Sequence, residues 1–182
     1  MSLCGIDEAG RGPIAGSLVM AGVILKKPIE GLNDSKVLSE KKREALFPLI
    51  IENSIYHIIE FSASKVDEIG ISKCLNEGLK SILKHLESDD FLFDGNSTFG
   101  VSGLRTMVKA DAKIPEVSAA SVLAKVTHDR EMIQFAKKFP QYGFEKHKGY
   151  GTKAHVEAIK AHGYCEVHRK SFKIKALEPR LF

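Results

Sequence analysis

The chain has 182 residues, 43% hydrophobic and 27% charged, which is the length and composition of one globular domain with a small appendage at most. No apolar run approaches the ~20 residues that cross a bilayer as a helix, so a membrane-spanning reading is set aside. The net charge of +4 is uneven: residues 1–104 carry 11 Lys+Arg against 15 Asp+Glu, hence −4, and residues 105–182 carry 16 against 8, hence +8. A basic second half with interleaved Phe139, Tyr142, Phe144, Tyr150, Tyr164 and Phe172 suits a polyanion partner, although lysines on solvated helix faces would give the same count.

The first residues read as a strand and not as a basic-then-apolar signal, so a cytoplasmic protein is expected. Cys4, Cys74 and Cys165 are odd in number and far apart, as reduced thiols would be. His162-x-x-Cys165-x-x-His168 has a metal-like spacing, but a zinc site would need a fourth ligand and a tighter grouping.

In chain order, Leu3–Ile6 predicts a first strand and Ser17–Leu25 a second, joined by the tight link Gly10-Arg11-Gly12-Pro13. Leu32–Lys36 is a polar loop. Ser39 opens a helix to about Glu52 with Ala45, Leu46, Leu49 and Ile50 on one face, which Pro48 should kink or shorten. Ile55–Ser62 is a third strand, and Ser64-x-x-Asp67 reads as the cap of the next helical region. Ile71, Leu75, Leu79, Ile82 and Leu86 follow at helical spacing. Phe91–Phe93 is a short buried strand ended by Asp94-Gly95, and Val101–Val108 contains a fifth. A long helix starts at Ser118 with Ala119, Val122, Leu123, Val126 and Ile133 as its buried stripe, and Pro140 stops it. After the glycine-rich loop His147–Gly151, Thr152 caps a final helix that Gly163 ends, and Arg169–Phe182 is basic and irregular. Strands that come first in hairpin-like order and then alternate with helices give a single α/β domain with a mixed sheet.

Chemistry concentrates in Gly5-Ile6-Asp7-Glu8-Ala9-Gly10-Arg11-Gly12. Adjacent carboxylates repel and are held ionised by a cation, and glycines around Arg11 leave backbone amides open to an oxygen-rich ligand. A solvated turn after a strand explains the octapeptide equally well by itself. Asp94 and Asp111 also stand at strand ends, where crevices form in open α/β sheets. Four carboxylates without His or Cys suit Mg²⁺ or Mn²⁺, and such sites can hold two metals for in-line displacement at phosphorus. Asp129, inside a helix beside Arg130, is a secondary candidate because an ion pair is its ordinary role. With no GxxxxGK[ST] and no GxGxxG, a nucleotide-binding loop falls away.

Gly5–Pro13, Asn33–Lys36, Asp94-Gly95, Lys109–Lys113, Ser118–Ser121, His147–Thr152 and His168–Phe172 together resemble the bacterial ribonuclease HII (ribonuclease H type II) family, in the family's order and over nearly the whole chain. Ser17 and His128 depart from its usual proline and arginine. The resemblance implies a ribonuclease H-like fold: a five-stranded mixed sheet flanked by helices, in a catalytic domain over 1–140. A small C-terminal helical extension over 141–182 would pack on it and carry the substrate-contacting tyrosine. The implied activity is cleavage of RNA in RNA–DNA hybrids and 5′ of single ribonucleotides in duplex DNA, by two-metal attack of water that leaves a 3′-hydroxyl and a 5′-phosphate. Another DNA nuclease of the same fold and a non-catalytic hybrid binder are the alternatives.

By the same resemblance, Asp7, Glu8, Asp94 and Asp111 are the catalytic acids and would hold two Mg²⁺ or Mn²⁺ ions. Gly10, Arg11 and Gly12 would sense the 2′-hydroxyl, Tyr150 would stack on the neighbouring deoxyribose, and Lys36 would contact phosphate. Ser35, Lys125 and Arg169 are weaker candidates for backbone grip. A monomer is expected. Leu181-Phe182 at the end of the chain faintly resembles a sliding-clamp docking peptide, with a frayed tail as the plainer reading.

Overall fold

The computed structural model of the chain describes residues 2–32 and 38–177; Ser35, Lys36, Leu181 and Phe182 lie outside the described residues. In chain order it forms β1 (Leu3–Ala9), β2 (Leu18–Leu25), α1 (Glu40–Asn53), β3 (Ser54–Phe61), α2 (Ala63–Ile69), α3 (Ile71–His85), β4 (Asp90–Asp94) and β5 (Arg105–Met107). A long helix α4 (Pro115–Lys138) and the shorter α5 (Phe144–His147) and α6 (Lys153–His162) come next. The sheet order is β3-β2-β1-β4-β5. β1, β2 and β3 pair antiparallel, and β4 and β5 add in parallel on the other side of β1, so the sheet is five-stranded and mixed as expected.

Alternation along β1 sorts its side chains onto two layers. Cys4 and Ile6 join Leu18, Met20, Leu75, Leu79, Ile82 and Phe93 in the core beneath α2 and α3. On the opposite face Val19, Ala21 and Val23 pack with Leu46 and Ile50 of α1 and with Ala119, Ala120, Val122, Leu123 and Val126 of α4. With both faces covered, β2 reads as a continuous apolar run. Gly5 lets α4 lie directly on β1: a Cβ there would fall 2.2 Å from backbone atoms of Glu116 and Val117. A third cluster ties Ile14, Ala15 and Met132 to Tyr142, Phe144, Ile159 and Val167, which docks the chain's last third against the link after β1.

Several local expectations shift. α1 runs through Pro48 unshortened, anchored on both sides by buried Leu46 and Ile50, while Leu49 is 45% exposed and leaves the expected face. α4 begins at Pro115, not Ser118: proline at the first position presets φ and lacks an amide that would have no partner there. The Ser118 hydroxyl instead donates to the Leu32 carbonyl at 2.7 Å. α2 is capped by Ser62, which accepts from the Lys65 amide, and not by Ser64. Asp67 accepts from the amides of Lys170 and Ser171 and pins the C-terminal segment.

Candidate active site

Asp7 and Glu8 lie inside β1, in register with Ala21 and Met20, not in the turn after it. Pleating therefore sends them to opposite faces. Asp7 turns to α4, where Ser121 hydrogen-bonds it and its Oδ1 accepts the Glu8 amide at 2.8 Å. Glu8 turns to the other face, 3.6 Å from the Arg11 guanidinium, which itself lies over the Phe99 ring. Ile6 is paired with Phe93 in the parallel ladder, so the next residues, Asp7 and Asp94, leave it side by side. Asp94 in turn organises the segment after β5. Its carboxylate accepts the amides of Lys109 (3.0 Å) and Asp111 (3.2 Å) and fixes the single 3₁₀ turn Ala110–Ala112 that carries Asp111.

The electrostatics are those of crowded acids. Burial, then the Glu8 charge, push the Asp7 carboxyl well above the carboxylate range. Glu8 is raised by burial although Arg11 opposes it. Asp111 is raised by burial and then by its contact with Asp94. Glu8 Oε2 is buried and has no hydrogen-bond partner among the described residues. Among those residues no three His, Cys, Asp or Glu side chains close on one point in the manner of a finished metal cage. The donor chemistry nonetheless fits a hard cation: oxygen ligands only, mutual repulsion and an orphaned buried oxygen are what a divalent ion would relieve.

Beside this rim stands the turn after β1. Gly10 has φ +80°, and a Cβ there would fall 2.3 Å from the Ser17 carbonyl oxygen and 2.6 Å from the buried His128 ring. Tyr150, 44% exposed, borders Gly12, whose built Cβ would sit 3.6 Å from the tyrosine ring. The structure thus brings Tyr150 and Gly10–Gly12 together from about 140 residues apart. Lys125 lies 6.0 Å over the Tyr150 ring but donates to Asp129 at 2.7 Å. Asp129 is buried in ion pairs with Lys125 and Arg43 and a hydrogen bond with His128 Nδ1, apart from the acidic rim. Burial opposes its charge, but the bonds from His128 and Lys125 win and hold it below its ordinary range. Arg169, expected as a grip on the nucleic-acid backbone, is fully buried and faces the underside of the Gly10–Gly16 turn, so it does not reach solvent.

Residue-by-residue reading missed Ser121 as the Asp7 partner and the His155–His168 pair. In that pair His155 Nε2 meets His168 Nε2 at 3.0 Å and His155 Nδ1 meets the Tyr150 carbonyl at 2.9 Å. The sequence offered no direct signal for the pair: His155 lies within α6 and His168 just before the basic Arg169-Lys170.

The family model for Ribonuclease HII matches residues 4–175. The protein is 67% identical over 181 residues to "Ribonuclease HII" of Sulfurovum sp. (strain NBC37-1), covering 99% of this chain and 96% of that one. It is 58% identical to "Ribonuclease HII" of Aliarcobacter butzleri (strain RM4018), covering 97% and 93%. Among solved structures it resembles the ribonuclease HII in the PCNA:RNase HII complex from Archaeoglobus fulgidus, with TM-score 0.82, 28% identity and 96% of each chain covered. It also resembles ribonuclease H2 from Pyrococcus horikoshii OT3, with TM-score 0.80, 28% identity and 95% and 94% covered. With a ribonuclease H-like sheet, its acidic rim and a match over nearly its full length, the chain belongs to the ribonuclease HII family and is a ribonuclease H-type hydrolase.

Proposed function

We propose that the protein cuts the RNA strand of RNA–DNA hybrids and also duplex DNA on the 5′ side of a single embedded ribonucleotide. Water attacks in line and the products carry a 3′-hydroxyl and a 5′-phosphate. Asp7, Glu8, Asp94 and Asp111 would hold two divalent cations, Mg²⁺ or Mn²⁺. When bound, the cations would lower the pKa of the attacking water and offset charge on the leaving oxygen. The chain's own part is to aim the substrate. The amides of Arg11 and Gly12, the two exposed residues of the Gly10–Gly12 turn, offer donors to the 2′-hydroxyl, which is the group that separates RNA from DNA. Arg11 is placed to take a neighbouring phosphate once a cation replaces it beside Glu8. Tyr150 presents a half-exposed ring on which the next sugar can stack. The basic second half supplies the sequence-independent attraction to the duplex.

One observation carries the reading: the Tyr150 ring borders Gly12, four residues past Glu8, so a sugar seated between them has its phosphate over the acids. The test is cleavage of a duplex bearing one ribonucleotide, with Mg²⁺, Mn²⁺ or chelator. Asp7→Asn should abolish turnover. Tyr150→Ala should reduce cleavage at the single ribonucleotide more than within a long hybrid, and an equal effect on both would remove Tyr150 from junction recognition. A clamp contact through Leu181-Phe182 is a separate proposal, overturned if deleting the two residues leaves clamp binding unchanged.

A further inference from the structure

Arg169 is among the largest fully buried side chains of the protein. A buried guanidinium ordinarily sits against a carboxylate. Among the described residues Arg169 has no ion pair; its donors go to backbone oxygens of one turn. Nε donates to Gly16 O at 3.0 Å, Nη1 to Pro13 O at 2.9 Å and Arg11 O at 3.3 Å, and Nη2 to Gly10 O at 2.5 Å. Its own backbone amide donates to Ile14 O at 2.8 Å, and the Gly16 amide donates to Val167 O at 2.9 Å. Phe172 covers the guanidinium, 5.1 Å from ring centroid to Cζ. Five carbonyls of the seven-residue turn Gly10–Gly16 are therefore held by one residue more than 150 positions away.

Peptide geometry turns this into a statement about the opposite side of the turn. In a planar trans peptide the C=O and the following N–H point in opposite directions, and no peptide bond among the described residues is cis. The Gly10 carbonyl shares its plane with the Arg11 amide, and the Arg11 carbonyl with the Gly12 amide. Once both carbonyls point down at Arg169, both amides must point up. Arg11 and Gly12 are exposed, and neither amide bonds a protein acceptor among the described residues. Only a planar fork with five N–H groups can hold four carbonyls spread over seven residues; a lysine ammonium has one centre and three donors.

We propose that Arg169 is a positioning residue for ribose recognition: from beneath the turn it draws the Gly10–Gly16 carbonyls inward and so aims the Arg11 and Gly12 amides at the sugar. The inference rests on the reading of that turn under Proposed function. It replaces contact with nucleic acid by action through the turn, and it gives a fully buried arginine a part in choosing RNA over DNA.

The test is binding in chelator, where nothing is cut, to a duplex bearing one ribonucleotide and to its all-DNA twin. The protein should prefer the ribonucleotide duplex by about tenfold, the factor that corresponds to one well-placed hydrogen bond. Arg169→Lys should bring that preference to about one while all-DNA binding stays within about twofold. A loss of folded protein would lower both affinities equally and leave the ratio untouched, so the ratio separates aiming from stability. An undiminished preference in a folded Arg169→Lys overturns the inference alone. No preference in the unsubstituted protein overturns the reading of the turn, and this inference with it. If Arg169→Lys does not fold, backbone order parameters of Arg11 and Gly12 in the unsubstituted protein decide: about 0.85 is expected of a braced turn, and below about 0.6 overturns the proposal.

Discussion

Asp7 carries its carboxylate on the face of β1 that packs against α4, in register with Ala21 and hydrogen-bonded to Ser121. Burial and the Glu8 charge penalise its ionised form, and among the described residues the Ser121 hydroxyl and the Glu8 amide are the groups that oppose this. Asparagine keeps the shape and removes the charge. Asp7→Asn should therefore raise the melting temperature at pH 7 in chelator, while turnover with divalent cation falls at least about 10³-fold. A melting temperature lowered by this change would mean that the carboxylate is structurally satisfied and not held in tension for a cation. Tyr150 sits at the opposite extreme, half-exposed and without a packing duty for its ring tip. Tyr150→Phe should keep most junction cleavage, because a ring and not a hydroxyl does the stacking, whereas Tyr150→Ala should lose roughly 10-fold or more. Kinetics on the single-ribonucleotide duplex for both variants check this.

At the scale of elements, the loop that carries Tyr150 is held by two neutral imidazoles. The Cys165 amide donates to His168 Nδ1 at 2.9 Å, so His168 must donate from Nε2 to His155 Nε2, and His155 from Nδ1 to the Tyr150 carbonyl. Burial is the main reason both pKa values fall to about 4, followed by the neighbouring charge for His168. The unfolded chain takes up protons near pH 6.5, where the folded chain does not. The stability from the pair is therefore complete above about pH 6.5 and is lost as pH falls towards 4, by up to about 1.4 kcal/mol per pH unit for each imidazole. His155→Gln should flatten the melting temperature over that window relative to the unsubstituted protein; an unchanged slope would show that other groups set it. Gly5 marks a second contact between elements. Gly5→Ala should cost about 3 kcal/mol or prevent folding, because its Cβ meets the α4 backbone at 2.2 Å and no rotamer can relieve that. Most elements were legible, since apolar alternation and the Ser39 and Thr152 caps are local signals. Ser64 misled because Ser62, two residues earlier, offers the same hydroxyl at the true start of α2. Pro48 does not shorten α1, which continues to Asn53 with Leu46 and Ile50 buried on either side of it.

For the whole molecule, the proposed function depends on joining β1 near one end of the chain to Tyr150 and Arg169 near the other. The acids stood out in the sequence as an adjacent pair and two aspartates near strand ends, and the strand-end expectation holds for Asp94, which closes β4, whereas Asp111 sits on the 3₁₀ turn beyond β5. The direction of each could not be read, because placing Asp7 and Glu8 inside β1 sends them to opposite faces. Nor could the use of Arg169, since a buried arginine and a phosphate-binding arginine look alike until burial is known. Divalent cation should couple the parts. Adding Mg²⁺ at about 100 times its dissociation constant should raise stability by about 2.7 kcal/mol, read as a shift in melting temperature that Asp94→Asn diminishes. The most direct measurement of the central claim is the cleavage of two otherwise identical DNA duplexes, one with a single ribonucleotide and one without, in Mg²⁺ or Mn²⁺. The account predicts one cut, on the 5′ side of the ribonucleotide with a 3′-hydroxyl left behind, and no cut in the all-DNA twin. Equal cleavage of the two would contradict it.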